Sequence, residues 1–113
     1  GYPQALELLE ELLRIGQVPA ILDARQTLSD PRSVLGQLCQ HVGIDFEEAM
    51  LSWEARARPE DGVWATHWYG NVHRSTGFQP YSPKTSPFPA KLLPLLQACE
   101  PLYDQLVARS IRP

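Results

Sequence analysis

The stretch from Asp61 to Phe78 gathers most of the side chains in this sequence that could do chemistry. Trp64, His67, Trp68, Tyr69, His73 and Arg74 lead directly into Ser75, Thr76 and Gly77. An arginine fork followed by two hydroxyls and a permissive glycine backbone suits an anionic oxygen ligand, phosphate or sulfate. The guanidinium matches such groups geometrically and its hydrogen bonds to them are charge-assisted. The same four residues, Arg74, Ser75, Thr76 and Gly77, also read as an ordinary helix end, with a cation at the favourable C-terminus and a capping hydroxyl. The residues alone leave both readings open.

Other constellations are weaker. His67 and His73 are six residues apart and so do not share a helical face. Neither Cys39 nor Cys99 stands at a zinc-ligand spacing, and no metal site is expected. Either histidine could act as a general base. A part-buried, hydrogen-bonded histidine among tryptophans is the plainer expectation. Trp64, Trp68 and Tyr69 could stack on a planar ligand such as a purine, although filling a core is the commoner use of such rings. Asp23 follows a predicted strand, a place where α/β proteins put functional residues. It reads equally as a turn or capping acid, with Arg25 near enough to pair. No glycine-rich phosphate loop, nucleophile elbow or paired-carboxylate motif is present.

The elements that would position these residues are mostly helical. Leucines at helical spacing predict an amphipathic helix over Pro3–Ile15, with Pro3 in the first turn and Gly16 as its left-handed stop. Val18 to Asp23 reads as one short strand, nearly continuous in apolar residues like a buried parallel strand, with Pro19 at its start or on an edge. Asp30-Pro31 opens a second helix whose stripe is Val34, Leu35, Leu38, Cys39 and Val42, ended by Gly43. Asp45 with Glu48 reads as a capping box for a third helix carrying Phe46, Met50, Leu51 and Trp53. Trp64–His73 is a short helix or an ordered loop. Residues 75–90 hold Pro80, Pro83, Pro87 and Pro89 and read as irregular, held down by Phe78, Tyr81 and Phe88. A last helix runs from about Lys91 to Arg109, kinked at Pro101.

With 113 residues, 1–113 is expected to form a single domain. A net charge of −3 and the lack of any lysine–arginine block argue against a nucleic-acid partner. No apolar run approaches the roughly 20 residues of a membrane span, and no signal-peptide pattern opens the chain. Two cysteines inside apolar helical patterns read as buried free thiols, which fits a cytoplasmic setting.

Several segments together resemble the C-terminal portion of the P-loop sulfotransferase-like family, which includes bacterial proteins of that label and plant branched-chain aminotransferase-like proteins. The matching pieces are Ile21-Leu22-Asp23-Ala24, Asp30-Pro31 with Val34-Leu35 and Leu38-Cys39, Gly43-Ile44 with Phe46, and Met50-Leu51 with Trp53. Asp61-Gly62-Val63-Trp64-Ala65, Trp68-Tyr69 and Ser75-Thr76-Gly77-Phe78 follow, then Leu92, Leu93, Pro94, Pro101, Tyr103 and Leu106. The resemblance implies an α/β fold with a parallel sheet. It implies sulfuryl transfer from 3′-phosphoadenosine 5′-phosphosulfate to a hydroxyl or amine, and places Arg74–Phe78 in the loop that helps hold the nucleotide's 3′-phosphate. The family's phosphate-binding loop, first strand and following helix have no counterpart among these residues. The expectation is therefore an α/β fragment, predominantly helical, with about four helices and one short strand, no cofactor of its own and no catalysis alone. The parent would use the phosphoadenosine cofactor. The competing reading is a non-catalytic helical interaction or dimerisation module. Either way, an apolar face and an unpaired strand edge point to a homo-oligomer.

Overall fold

A computed structural model describes all 113 residues. In chain order it contains α1 (Tyr2–Arg14), α2 (Ala24–Ser29), α3 (Pro31–Val42), α4 (Ala65–Trp68), α5 (Gly70–Arg74) and α6 (Leu93–Val107). Three single turns of 3₁₀ helix lie at Glu48–Met50, Pro59–Asp61 and Ala90–Leu92. The chain is mostly helical and has no strand. Its one β-bridge is an isolated antiparallel pair between Ser52 and Gly77.

The helix ends follow local chemistry. Asp30 accepts the Ser33 amide at 3.0 Å and Pro31 supplies the first residue of α3, where a missing N–H costs nothing. At the other end Gly43 takes φ 74°, which only glycine adopts freely. This lets the Ile44 amide reach back to the Cys39 carbonyl at 3.0 Å, closing the helix in a Schellman turn. Gly16 ends α1 in the same way, with the Gln17 amide on Leu12.

Two sequence expectations need correction. The Val18–Asp23 strand does not form. The chain runs there without helix, turn or bend, but between Val18 and Leu22 it makes one backbone bond, from the Ile111 amide to the Ile21 carbonyl at 2.9 Å. A strand needs a neighbour, and none lies alongside. The third helix also shrinks to the 3₁₀ turn at Glu48–Met50, without a side-chain cap. Glu48, expected to close a capping box with Asp45, instead pairs with Arg32 of α3. Conversely, α2 was not anticipated. Asp23 caps it, accepting the Gln26 amide at 3.1 Å.

α6 packs along α1, and α2 along α3. The α1/α6 pair is registered by an edge-to-face contact of Tyr2 and Tyr103, 6.0 Å between centroids. α6 runs through Pro101 unbroken, with Pro94 in its first turn. Its Tyr103 hydroxyl donates to the free oxygen of Asp23 at 2.8 Å, so one carboxylate both caps α2 and holds α6. The hydrogen bond to Asp23, then burial and the carboxylate's charge, push the Tyr103 phenol above its usual pKa.

The interior is thin. Leu9, Val34, Cys39, Ala65 and Ser110 are the buried residues, and Val34 alone is fully enclosed. The chain exposes 8934 Å², against about 6,200 Å² for a compact monomer of this mass. Its radius of gyration is 17.0 Å, against about 13 Å for a compact domain near this size. Leu8, Ile15, Val18 and Leu22 remain exposed on and just after α1.

Asp23→Ala removes a cap and the partner of a buried-side hydroxyl together. It should cost about 2 kcal/mol in urea unfolding, with Tyr103→Phe costing about half as much. Equal costs for the two would show that the cap contributes nothing.

Candidate functional site

The Asp61–Phe78 region is built around Trp53. Its indole N–H donates to the Ser75 hydroxyl at 2.9 Å, and its backbone amide donates to the Thr76 carbonyl at 3.1 Å. Its ring meets Phe78 edge-on at 5.5 Å. The Ser52–Gly77 bridge lies beside it. A methyl group on Gly77 would sit 3.0 Å from the Leu51 carbonyl oxygen, so glycine is the residue that allows this close approach.

The four predicted ligand residues are thus contiguous, with divided roles. Ser75 is committed to the scaffold, since its hydroxyl also donates to the Val72 carbonyl at 2.7 Å. Gly77 serves the bridge. Arg74 ends α5, exposed, and its partner is the neutral side-chain oxygen of Asn71 at 2.8 Å. The Thr76 side chain is exposed and makes no hydrogen bond within the chain. A phosphate or sulfate approaching this loop would therefore meet Arg74 and Thr76, while Ser75 and Gly77 hold the backbone in place. Arg74 carries a charge that no acid in the chain neutralises, so these residues fit one arm of an anion site.

The structure also assembles a pair that the sequence did not single out. His73 Nε2 lies 2.9 Å from Asp61 Oδ2 with both side chains part-buried. The same Asp61 oxygen accepts the Arg58 amide at 3.1 Å. Together, first the His73 bond and then the Arg58 amide, these hold the Asp61 carboxyl below the usual carboxylate range. The pair borders a cleft of about 260 Å³ that Arg56, Arg58 and Trp53 also line. Histidine held by a carboxylate is a motif that orients an imidazole. The sequence signal was present, an acid at the end of a Pro-Glu-Asp-Gly turn, but nothing in the order of residues showed that His73 would reach it.

The histidine and tryptophan expectations divide. His73 is part-buried and bonded. His67 is exposed, its ring 6.3 Å from Trp64. Trp64 and Trp68 do not fill a core. They stack on one another at 5.4 Å and 17°, and stay 61% and 70% exposed. One turn of helix separates them, so their rings meet on the outer side of α4. Both cysteines are free, Cys39 buried with its sulfur 3.7 Å from that of Met50, and Cys99 half-buried. No three histidine, cysteine or acidic side chains converge on a point that could hold a metal ion, and no helix is long and apolar enough to cross a membrane.

The chain thus pins a Ser-Thr-Gly loop against Trp53, with Arg74 bonded to Asn71 and paired with no acid at its lip. The chain belongs to the sulfotransferase domain family, whose model matches residues 11–110. Two Arabidopsis thaliana proteins, named branched-chain-amino-acid aminotransferase-like proteins 1 and 2, are each 42% identical to it over 108 residues. That alignment takes in 94% of this chain but 19% of either relative, so the chain spans about a fifth of their length. No solved structure matches the chain.

Asp61 has a lowered pKa when folded, so it stabilises the segment at pH values above the ordinary carboxylate range and stops doing so as pH falls through its folded value. Acidification below about pH 4 should therefore loosen residues 54–74, seen as loss of protection at the Arg58 amide. Asp61→Asn should show that looseness already at pH 7. Equal Arg58 protection in the two proteins at pH 7 would mean that the pair does not hold the segment.

Proposed function

We propose that this chain is the C-terminal part of a sulfotransferase-like domain of P-loop type, and that the whole domain transfers a sulfuryl group to an acceptor hydroxyl or amine. The observation that carries this reading is the combination of the family match with an unfinished interior. Roughly 2,700 Å² of surface beyond that of a compact monomer is open. That is the scale of an obligate interface, and suits a portion of a fold waiting for its other portion.

In that reading 3′-phosphoadenosine 5′-phosphosulfate supplies the sulfuryl group when bound. Arg74 and Thr76 contribute one arm of the grip on its 3′-phosphate, and Ser75 and Gly77 fix the loop through Trp53. Arg56 and Arg58 line the neighbouring cleft, where Glu54 and Asp61 balance their charge. Alone, the chain holds no cradle for the group in flight, and electrostatic preorganisation of that kind is the main source of rate. The name borne by the two plant relatives offers a different chemistry, which would need a lysine to hold pyridoxal phosphate. The family model covers residues 11–110, and the sulfotransferase reading is preferred. The second reading, an interaction module without catalysis, is favoured by the same exposed leucines.

Two results are expected. The purified chain transfers no labelled sulfate from the phosphosulfate donor to any acceptor; transfer would overturn its incompleteness. Inorganic phosphate binds in the millimolar range, as one or two charge-assisted bonds allow, and shifts the amides of Arg74–Phe78 in an NMR titration. Arg74→Ala abolishes those shifts and leaves the melting temperature unchanged, because an exposed arginine bonded to Asn71 adds little to stability. Absent shifts in the wild type, with a lowered melting temperature in the variant, would reduce Arg74 to a helix end.

A further inference from the structure

The seam between α1 and α6 opens at Tyr2 into a cavity of about 460 Å³ with aromatic walls and an acidic rim. Tyr2 and Tyr103 line it, and their rings meet edge-on at 6.0 Å and 65°. An edge-to-face pair leaves most of its ring faces uncovered by the partner ring. Those faces carry the negative side of the ring quadrupole. Tyr103 is held in place, because its hydroxyl donates to Asp23 at 2.8 Å. Leu96 and Cys99 add apolar lining.

The remaining lining residues are Glu100 and Asp104, four apart on α6 and both exposed. Like charges at that spacing work against the helix that carries them. Neither carboxylate makes an ion pair within the chain, and no basic side chain lines the cavity. Arg25 bears on the Tyr103 phenol from α2, but its guanidinium lies over the Tyr81 ring at 5.4 Å. The Gly1 ammonium precedes Tyr2 without lining the cavity. This charge and shape discriminate among occupants. An anion meets two carboxylates and no base. An apolar surface closing over the rim would strand both charges. A bare metal ion finds no third ligand beside them. An ammonium that carries alkyl groups suits every part: its charge faces the carboxylates and the rings, and its alkyl groups lie on Leu96 and Cys99.

We propose that this cavity binds an organic cation of the alkylated or quaternary ammonium class, with Tyr2 and Tyr103 as its aromatic walls and Glu100 and Asp104 as its counter-charges. The inference rests on the lining of one cavity and stands apart from the sulfotransferase reading.

An NMR titration of the 113-residue chain with choline tests it, set against 3,3-dimethylbutan-1-ol, an uncharged molecule of the same shape. Choline is expected to shift the amides of Tyr2, Cys99 and Tyr103 and to saturate in the millimolar range, whereas the alcohol binds far more weakly. Glu100→Gln combined with Asp104→Asn should weaken choline binding about tenfold, as the loss of two exposed charge attractions allows. The same double variant should leave the melting temperature unchanged or raised, because it relieves a like-charge pair. Equal affinity for choline and the alcohol would overturn the proposal and leave only an apolar recess. Absence of localised shifts would overturn it too, as would shifts that sodium chloride reproduces, or a double variant that folds and binds choline as the wild type does. The comparison of the two probes on the wild-type chain decides the matter even if the variant fails to fold.

Discussion

One carboxylate ties the two ends of this chain to each other. Asp23 spends one oxygen on the amide of Gln26 and the other on the hydroxyl of Tyr103, a residue from the opposite end of the sequence. The first bond starts α2, and α2 packs on α3. The second bond fixes α6, and α6 lies on α1. The two helix pairs are joined through little else. The Ile111 amide on Ile21 and the Gln37 side chain on the Arg112 carbonyl, at 2.7 Å, fasten the tail along the same seam. In a molecule with one fully enclosed side chain, hydrogen bonds that are usually secondary become the means by which distant parts keep their places. Their net worth is modest, so the frame they define is a loose one.

The candidate site depends on a comparable economy around Trp53. Its two N–H groups and its ring reach Ser75, Thr76 and Phe78. This single side chain thereby turns an irregular proline-rich stretch into a loop of defined shape at its start. Beyond it, residues 79–89 lie exposed without regular structure. The arginine at the lip is free because the loop needs Ser75 and Gly77 but not Arg74. A site whose scaffold and ligand groups are separate residues can change its specificity without losing its shape.

What could be read from residue order was whatever is decided within a few residues. The ends of α1 and α3 were legible because Gly16, Asp30, Pro31 and Gly43 act on backbone groups next to them. α2 was not, although Asp23 and Gln26 stand at capping distance. Its six residues are mostly polar and too short to show a helical apolar stripe. Asp45 and Glu48 carried a sound local signal that lost to a distant one, the Arg32 guanidinium. The contiguity of Arg74 to Gly77 was visible, whereas the commitment of Ser75 to Trp53, and the meeting of Asp61 with His73, depend on how the chain returns on itself. Apolar character was legible throughout but its burial was not: Val18 stands exposed, and Trp64 and Trp68 stack on each other in the open.

The tail contact at Ile21 has a further meaning when Pro19 is considered with it. A ladder started there could extend past Pro19 only with one rung short of a donor, and Pro113, two residues beyond Ile111, is equally unable to give one. The tail is thus a clasp that cannot become a zip. It occupies one flank of the segment, yet is barred from spreading along it. Two prolines far apart in the chain mark that flank as one where a ladder runs short of donors.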